Sequence, residues 1–250
     1  MNDLREPPTA DPPAGRALGV YLLGELDFDE FVTLQRRLAY DVGGGDGGGA
    51  LVLCHHPPGV TVGREGSWRH IRLDSGDLAA RGWPVRWLAR GGGVMLHVPG
   101  QLAAYPILPL ARLGLTPARY VRELTESLVA VLGRVGVAAA ADGGPPGVVV
   151  GPRRIAHVGV AVRNGVSSFG AVLNVTPDLE LFRGIDCDGH PGPMTSAGRE
   201  APAPVRPAGV RQLVIDEVAR RFGFDRVSVF HTHPALAAGP SPHAAVAARR

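Results

Sequence analysis

The chain has 250 residues, enough to bury a sizeable core as one large domain or two small ones. Hydrophobic residues make up 45% and charged ones 20%, as in an ordinary globular protein, and a net charge of +3 with scattered basic residues and only 6% aromatics argues against a nucleic-acid surface. All 26 basic residues are Arg, which excludes Schiff-base catalysis, a P-loop lysine and any lysine proton shuttle, because a guanidinium does not deprotonate in proteins.

Residues 1–16 are polar and Pro-rich and read as a disordered leader with neither the basic start nor the apolar stretch of a secretory signal. GVYLL (19–23) reads as a strand. Phe28, Phe31, Leu34 and Leu38 fall on one face of a helix running to Tyr40. GGGDGGG (43–49) reads as a flexible connector; a phosphate cradle would want a following lysine and helix. ALVLC (50–54) is a buried strand entering the turn HHPPG, with Cys54 as an inert strand residue. GWPVRWLAR (82–90) alternates, with Val85 and Trp87 on one face. It runs into RGGGVMLHVPGQL (90–102), and an extended apolar segment resumes at 103–110.

The clearest helix follows. Thr116 is its N-cap, Pro117 fits N1, and Tyr120, Leu124, Leu128, Val131 and Val135 form its apolar stripe up to Gly136. From 147 the pattern turns to β: GVVVG, RIAHVGVAV, the hairpin turn Asn164-Gly165, and VSSFGAVLNV. After a Pro-rich segment (201–209), a last helix carries Leu213, Val214, Val218 and Phe222, and VSVFH (227–231) is a short strand. Residues 236–250 read as a disordered tail. The expected architecture is a single α/β (α+β) domain over 17–235, a mixed β-sheet flanked by helices.

No apolar run approaches the roughly 18 residues of a membrane span. Cys54 and Cys187 form neither a disulfide framework nor a zinc pattern, so a reduced, cytoplasmic setting is expected. His55, His56, His157, His190, His231 and His233 show no zinc spacing, so no metal is expected, and the nucleophile-elbow pattern G-x-S-x-G is missing. Three patches remain. The glycines after Arg90 let backbone approach a ligand closely, with His97 at the far end. Arg153 and Arg154 open a strand and should project to opposite faces. FRGIDCDGHPG (182–192) holds Cys187 between Asp186 and Asp188, where flanking carboxylates should raise the thiol pKa.

In order, HHPPGVTVGREG, GWPVRWLARGGGVMLHVPGQLAAYPILPLARLGL, PGVVVG and RRIAHVGVAVRNGVSSFGAVLNVTPDLELF resemble the lipoyl(octanoyl) transferases of the lipoate/biotin protein ligase superfamily, from about residue 20 to 196. The resemblance implies a biotin/lipoate protein ligase-like catalytic domain. It implies transfer of an octanoyl group from octanoyl-acyl carrier protein to a lysine of a lipoyl carrier domain, or of a glycine-cleavage H-type protein, without a cofactor. It also implies a substrate pocket lined by Arg90, Gly91, Gly92, Gly93, Val94, Met95, Leu96 and His97, by His157, Val158 and Gly159, and by Gly170, Ala171 and Val172. A monomer is the default expectation.

The family holds the acyl group as a thioester on a Cys activated by a Lys. Here the Lys position is Arg154, the Cys position is Asp188 with Cys187 one residue early, and the His before the family's Gly-x-Ala is Phe169. The catalytic candidates are therefore Cys187, Arg154 and Asp188. Cys187 is expected to carry the octanoyl group with Arg154 as its electrostatic partner, if a bulge in the loop delivers it. Asp188 could instead pair with Arg154 and leave a silent acyl- or lipoyl-binding relative; an ATP-dependent ligase is the third reading.

Overall fold

The computed structural model describes residues 15–237 apart from Pro191. The leader and tail expected at the two ends lie outside these residues except at their inner margins, where Leu236 belongs to a short helix rather than to a tail. The strands are β1 (Ala17–Glu25), β2 (Gly49–His55), β3 (Gly59–Val62), β4 (Val85–Trp87), β5 (Val94–His97), β6 (Gln101–Ile107), β7 (Ala140–Ala141), β8 (Gly147–Val150), β9 (Arg153–Arg163), β10 (Val166–Asn174) and β11 (Arg226–Phe230). The helices are α1 (Phe28–Gly44), α2 (Ser75–Ala80), α3 (Pro117–Arg134), α4 (Ala197–Glu200), α5 (Pro207–Phe222) and α6 (Pro234–Ala237).

Eight strands form one sheet in the order β11-β1-β2-β6-β10-β9-β8-β7. β1 runs parallel to both β11 and β2, and the other pairings are antiparallel, so the sheet is mixed, as expected. A second sheet, β4-β3-β5, was not foreseen. Its strands have three or four residues, too short for a period-2 signal to stand out.

Every side chain of β2 from Ala50 to Cys54 is buried because both faces of the main sheet are covered. Leu51 and Leu53 join the cluster under α3 and α5, while Ala50, Val52 and Cys54 join the cluster under α1. Alternation along the strand thus feeds two cores, and each fully buried leucine contributes about 1.5–3 kcal/mol relative to exposure. A third cluster, built from β3, β5, Trp83, Phe182, Ile185 and Cys187, lies against the small sheet.

The caps follow the local chemistry. Asp27 accepts from the Asp29 N–H (2.8 Å) to start α1, and Thr116 Oγ1 accepts from the Arg119 N–H (3.2 Å) to start α3. α1 runs to Gly44 and β2 opens at Gly49, so the expected connector 43–49 shrinks at both ends. Asn164 and Gly165 both take positive φ (51° and 75°), as a two-residue hairpin turn with right-handed strand twist requires.

Candidate functional site

β9 and β10 are adjacent and antiparallel, with Val172 opposite His157, Ala171 opposite Val158 and Gly170 opposite Gly159. Two of the three expected pocket segments are therefore one patch of sheet. The third, the glycine loop between β4 and β5, docks on that patch through the Gly91 N–H, which donates to Val160 O (2.8 Å). Gly159 permits the approach: a Cβ there would stand 2.8 Å from Gly91 O.

Arg90 and His97 are buried and turned inward. Arg90 Nη2 donates to Thr61 Oγ1 (2.8 Å) and Thr61 O (3.1 Å), and the same hydroxyl meets His97 Nε2 at 2.9 Å. Burial holds the His97 imidazole well below its ordinary pKa, so it is neutral here. These two residues brace the glycine loop against β3. Thr61, in a strand the sequence did not announce, is the residue that joins them.

The centre of the site is Asp188, almost fully enclosed. Its Oδ1 accepts from the Gly93 N–H (2.8 Å), and its Oδ2 accepts from Arg154 Nη1 (2.8 Å) and from His157 Nδ1 (2.7 Å). Burial alone would raise the carboxyl pKa. The His157 hydrogen bond and charge, the Arg154 charge and the Gly93 N–H outweigh it and hold Asp188 well below the usual carboxylate range. The carboxylate can only accept, so His157 Nδ1 carries a proton, and in the neutral ring it is Nε2 that presents the lone pair. That Nε2 is buried and has no hydrogen-bond partner among the described residues.

Arg154 is wholly buried and forked. Its Nη2 donates to Asp142 Oδ2 (2.6 Å) and to Pro145 O (2.7 Å), so a second carboxylate shares its charge. Neighbouring Arg153 turns to the other face, as strand alternation demands, and forms a two-point pair with Glu200 (2.8 and 2.9 Å). Asp142 was not singled out from the sequence. It lies in an Asp-Gly-Gly-Pro-Pro turn, and nothing local in that segment signals a partner twelve residues on.

Asp188, not Cys187, faces Arg154 and pairs with it. The turn Cys187–Gly189 gives Asp188 a left-handed conformation (φ 54°), which Asp tolerates, and this aims successive side chains at different interiors. Cys187 points with Phe182 and Ile185 into the third cluster and is fully buried. Burial, the largest influence, pushes its thiol up to about 12, against a smaller opposing hydrogen bond from the Leu96 backbone. Cys54 is likewise buried and raised, as expected of an inert strand cysteine. Iodoacetamide at pH 8 should leave both thiols unmodified in the folded protein and label both after denaturation, read by intact mass; rapid native labelling of Cys187 would show that the loop delivers it.

Phe169, at the family's His position, also has a positive φ (57°) and packs toward Phe31 with ring centroids 6.2 Å apart. It supplies no polar group to the site. Among the described residues no cluster of His, Cys, Asp and Glu is arranged to hold a metal ion, and no helix is long and apolar enough to cross a membrane.

Residues 27–219 match the family described as the lipoyl protein ligase A/B catalytic domain. An octanoyltransferase of Chloroflexus aggregans is 42% identical over 170 residues, 67% of this chain and 77% of that protein. An octanoyltransferase of Geotalea uraniireducens is 39% identical over 193 residues, 77% of this chain and 87% of that protein. Among solved structures, lipoate-protein ligase A bound with ATP is similar with a TM-score of 0.69 and 16% identity, covering 89% of this chain and 91% of that one. A bipartite lipoate protein ligase from Thermoplasma acidophilum is similar with a TM-score of 0.63 and 18% identity, covering 89% of each chain.

Proposed function

The chain belongs to the lipoyl protein ligase A/B catalytic-domain family and, within it, to the octanoyltransferases of lipoate biosynthesis, and from that premise we propose that it passes octanoyl directly from donor to acceptor without an acyl-enzyme. The donor is the thioester of an acyl carrier protein and the acceptor a lysine of a lipoyl carrier domain. The lysine comes wholly from the partner, since this chain has none.

One observation supports this reading above the others: His157 is held at Nδ1 by an ionised carboxylate while its buried Nε2 lacks a partner. Such a dyad is a general base with its tautomer already set. The neutral amine nitrogen of the acceptor attacks the thioester carbonyl carbon, and a C–N bond forms. Its surplus proton passes to His157 Nε2, and Asp188 stabilises the imidazolium. The C–S bond breaks, and the proton returns from Nε2 to the departing thiolate. Octanoyl-lysine and the free carrier thiol result. Arg154 cannot move a proton, and Asp142 offsets part of its charge, so Asp188 keeps enough negative charge to serve His157.

A second reading, a binder without turnover, is favoured by the Arg154–Asp188 ion pair itself, which is closed and buried. One experiment separates them. Full-length protein is mixed with octanoyl-acyl carrier protein and an unmodified lipoyl domain, and each component is weighed by mass spectrometry. Octanoyl should appear on the lipoyl domain and never on this chain, with the Cys187→Ala variant as active as wild type. An adduct on this chain that Cys187→Ala abolishes would reinstate the thioester route. Donor binding with an unmodified lipoyl domain would establish the second reading.

A further inference from the structure

A cavity of about 1390 Å³ opens on the far side of the glycine loop from Asp188, between α1, the segment 87–89 and the β9–β10 hairpin. None of its walls belongs to the network around Asp188. The two nonetheless share a partition. Leu88 and Ala89 lead straight into Arg90–Gly93, and Ala161 follows Val160, whose carbonyl receives the Gly91 N–H. A Cβ on Gly92 would lie 3.1 Å from Asp188 Oδ1, while one on Gly91 would lie 3.8 Å from Arg64 Nη2. Neighbouring glycines of one loop thus approach Asp188 and Arg64 respectively.

The charge of this cavity is one-sided. Arg36, Arg64 and Arg163 line it, all exposed and none ion-paired with a described residue. Asp41 is the one acidic residue of the wall, and Arg37 holds it at 3.0 Å. Apart from Gln35, Asn164 and Ser168 the rest of the lining is apolar or aromatic, with buried Phe169 and exposed Trp87 among it. Three guanidiniums without an ion-pair partner over a mostly apolar cleft match a ligand with an anionic head and a long, weakly polar body.

We infer that this cavity binds the phosphate-bearing arm of the acyl donor, its phosphodiester on Arg36, Arg64 and Arg163 and its chain led toward the partition beside Asp188. The inference rests on the transfer reading for the identity of the arm, and its test does not require turnover. Binding of S-octanoyl-4′-phosphopantetheine and of S-octanoyl-pantetheine, which lacks the phosphate, is measured by titration calorimetry on the full chain without acceptor. Wild type should bind the phosphorylated arm about tenfold more tightly, the size expected for charge-assisted hydrogen bonds at a half-open site. The R36Q/R64Q/R163Q variant should erase that preference, and R64Q alone should reduce it, with melting curves confirming that both remain folded.

Equal affinity of wild type for the two arms overturns the inference, as does a preference that survives the triple substitution. Arginine-dependent binding of ATP in place of the arm overturns it in favour of a nucleotide site. A phosphate preference without any octanoyl transfer would refute the proposed reaction and leave this site standing; transfer without the preference would do the reverse.

Discussion

Replacing Asp188 by Asn should lower the rate of octanoyl transfer by about two to four orders of magnitude, the range for losing an operative general base. The substitution keeps the shape and removes the charge. An amide has one acceptor and one donor end. Whichever way it lies, an N–H must face either the Gly93 N–H or the Arg154 and His157 donors, all of which now meet carboxylate oxygen within 2.8 Å. If the amide oxygen stays with His157, the tautomer survives but the imidazolium formed on proton uptake has lost its counter-charge. If it turns, His157 Nδ1 must surrender its proton and Nε2 ceases to be a base.

Stability should fall by about 1.5–3 kcal/mol, the usual worth of a hydrogen bond to a charged group, because Arg154 keeps Asp142 and Pro145 O. A cooperative melt combined with the rate loss identifies a chemical defect. His157→Gln should lose a similar factor, and the double variant little more than either single one, since the two act as one unit. Full activity in Asp188→Asn, measured by mass on the lipoyl domain, would remove the dyad from the reaction.

The second large effect is a gain. The pair Arg154→Lys with Asp188→Cys should convert the protein into one that carries a stable octanoyl adduct after incubation with octanoyl-acyl carrier protein alone. Position 188 already lies against a glycine-loop N–H and within hydrogen-bonding distance of position 154. A thiol placed there gains a basic neighbour able to take its proton and return it, which the guanidinium cannot do. Asp188→Cys alone should acylate more slowly, because Arg154 can favour the thiolate by charge but not relay a proton. Wild type should show no adduct. The readout is intact mass before and after hydroxylamine, which cleaves thioesters. A folded double variant that stays unmodified would mean that this chain departs from its relatives in more than two side chains.

Much of the fold was legible because its longer elements carry their own signals. α3 announced itself through Thr116, Pro117 and a five-residue stripe, and the β9–β10 hairpin through Asn164-Gly165. The small sheet was not legible, because strands as short as β3 and β4 have no room for periodicity. At the site, position 188 could be aligned with the family's nucleophile, yet which of Cys187 and Asp188 faces Arg154 could not be read. That choice depends on a left-handed residue and on which core the loop's apolar side chains enter, both long-range matters. Asp142 was invisible for the same reason, since β8 and β9 must pair before its turn reaches Arg154.

The segment carrying Asp188 looks in sequence like a lid, rich in Gly and Pro, but it is fastened at both ends. Arg72 N donates to Gly184 O (2.7 Å), Asp186 N to His70 O (2.8 Å) and Thr195 N to Arg154 O (2.9 Å), and Arg153 grips Glu200 beyond. A floor riveted in this way does not swing. The opposite wall is tied down as well, the Gly91 N–H to Val160 O and the Gly63, Arg64 and Glu65 N–H groups to the carbonyls of Gly93, Arg90 and Gly92, so Asp188 and His157 are clamped between two fixed surfaces before any substrate arrives.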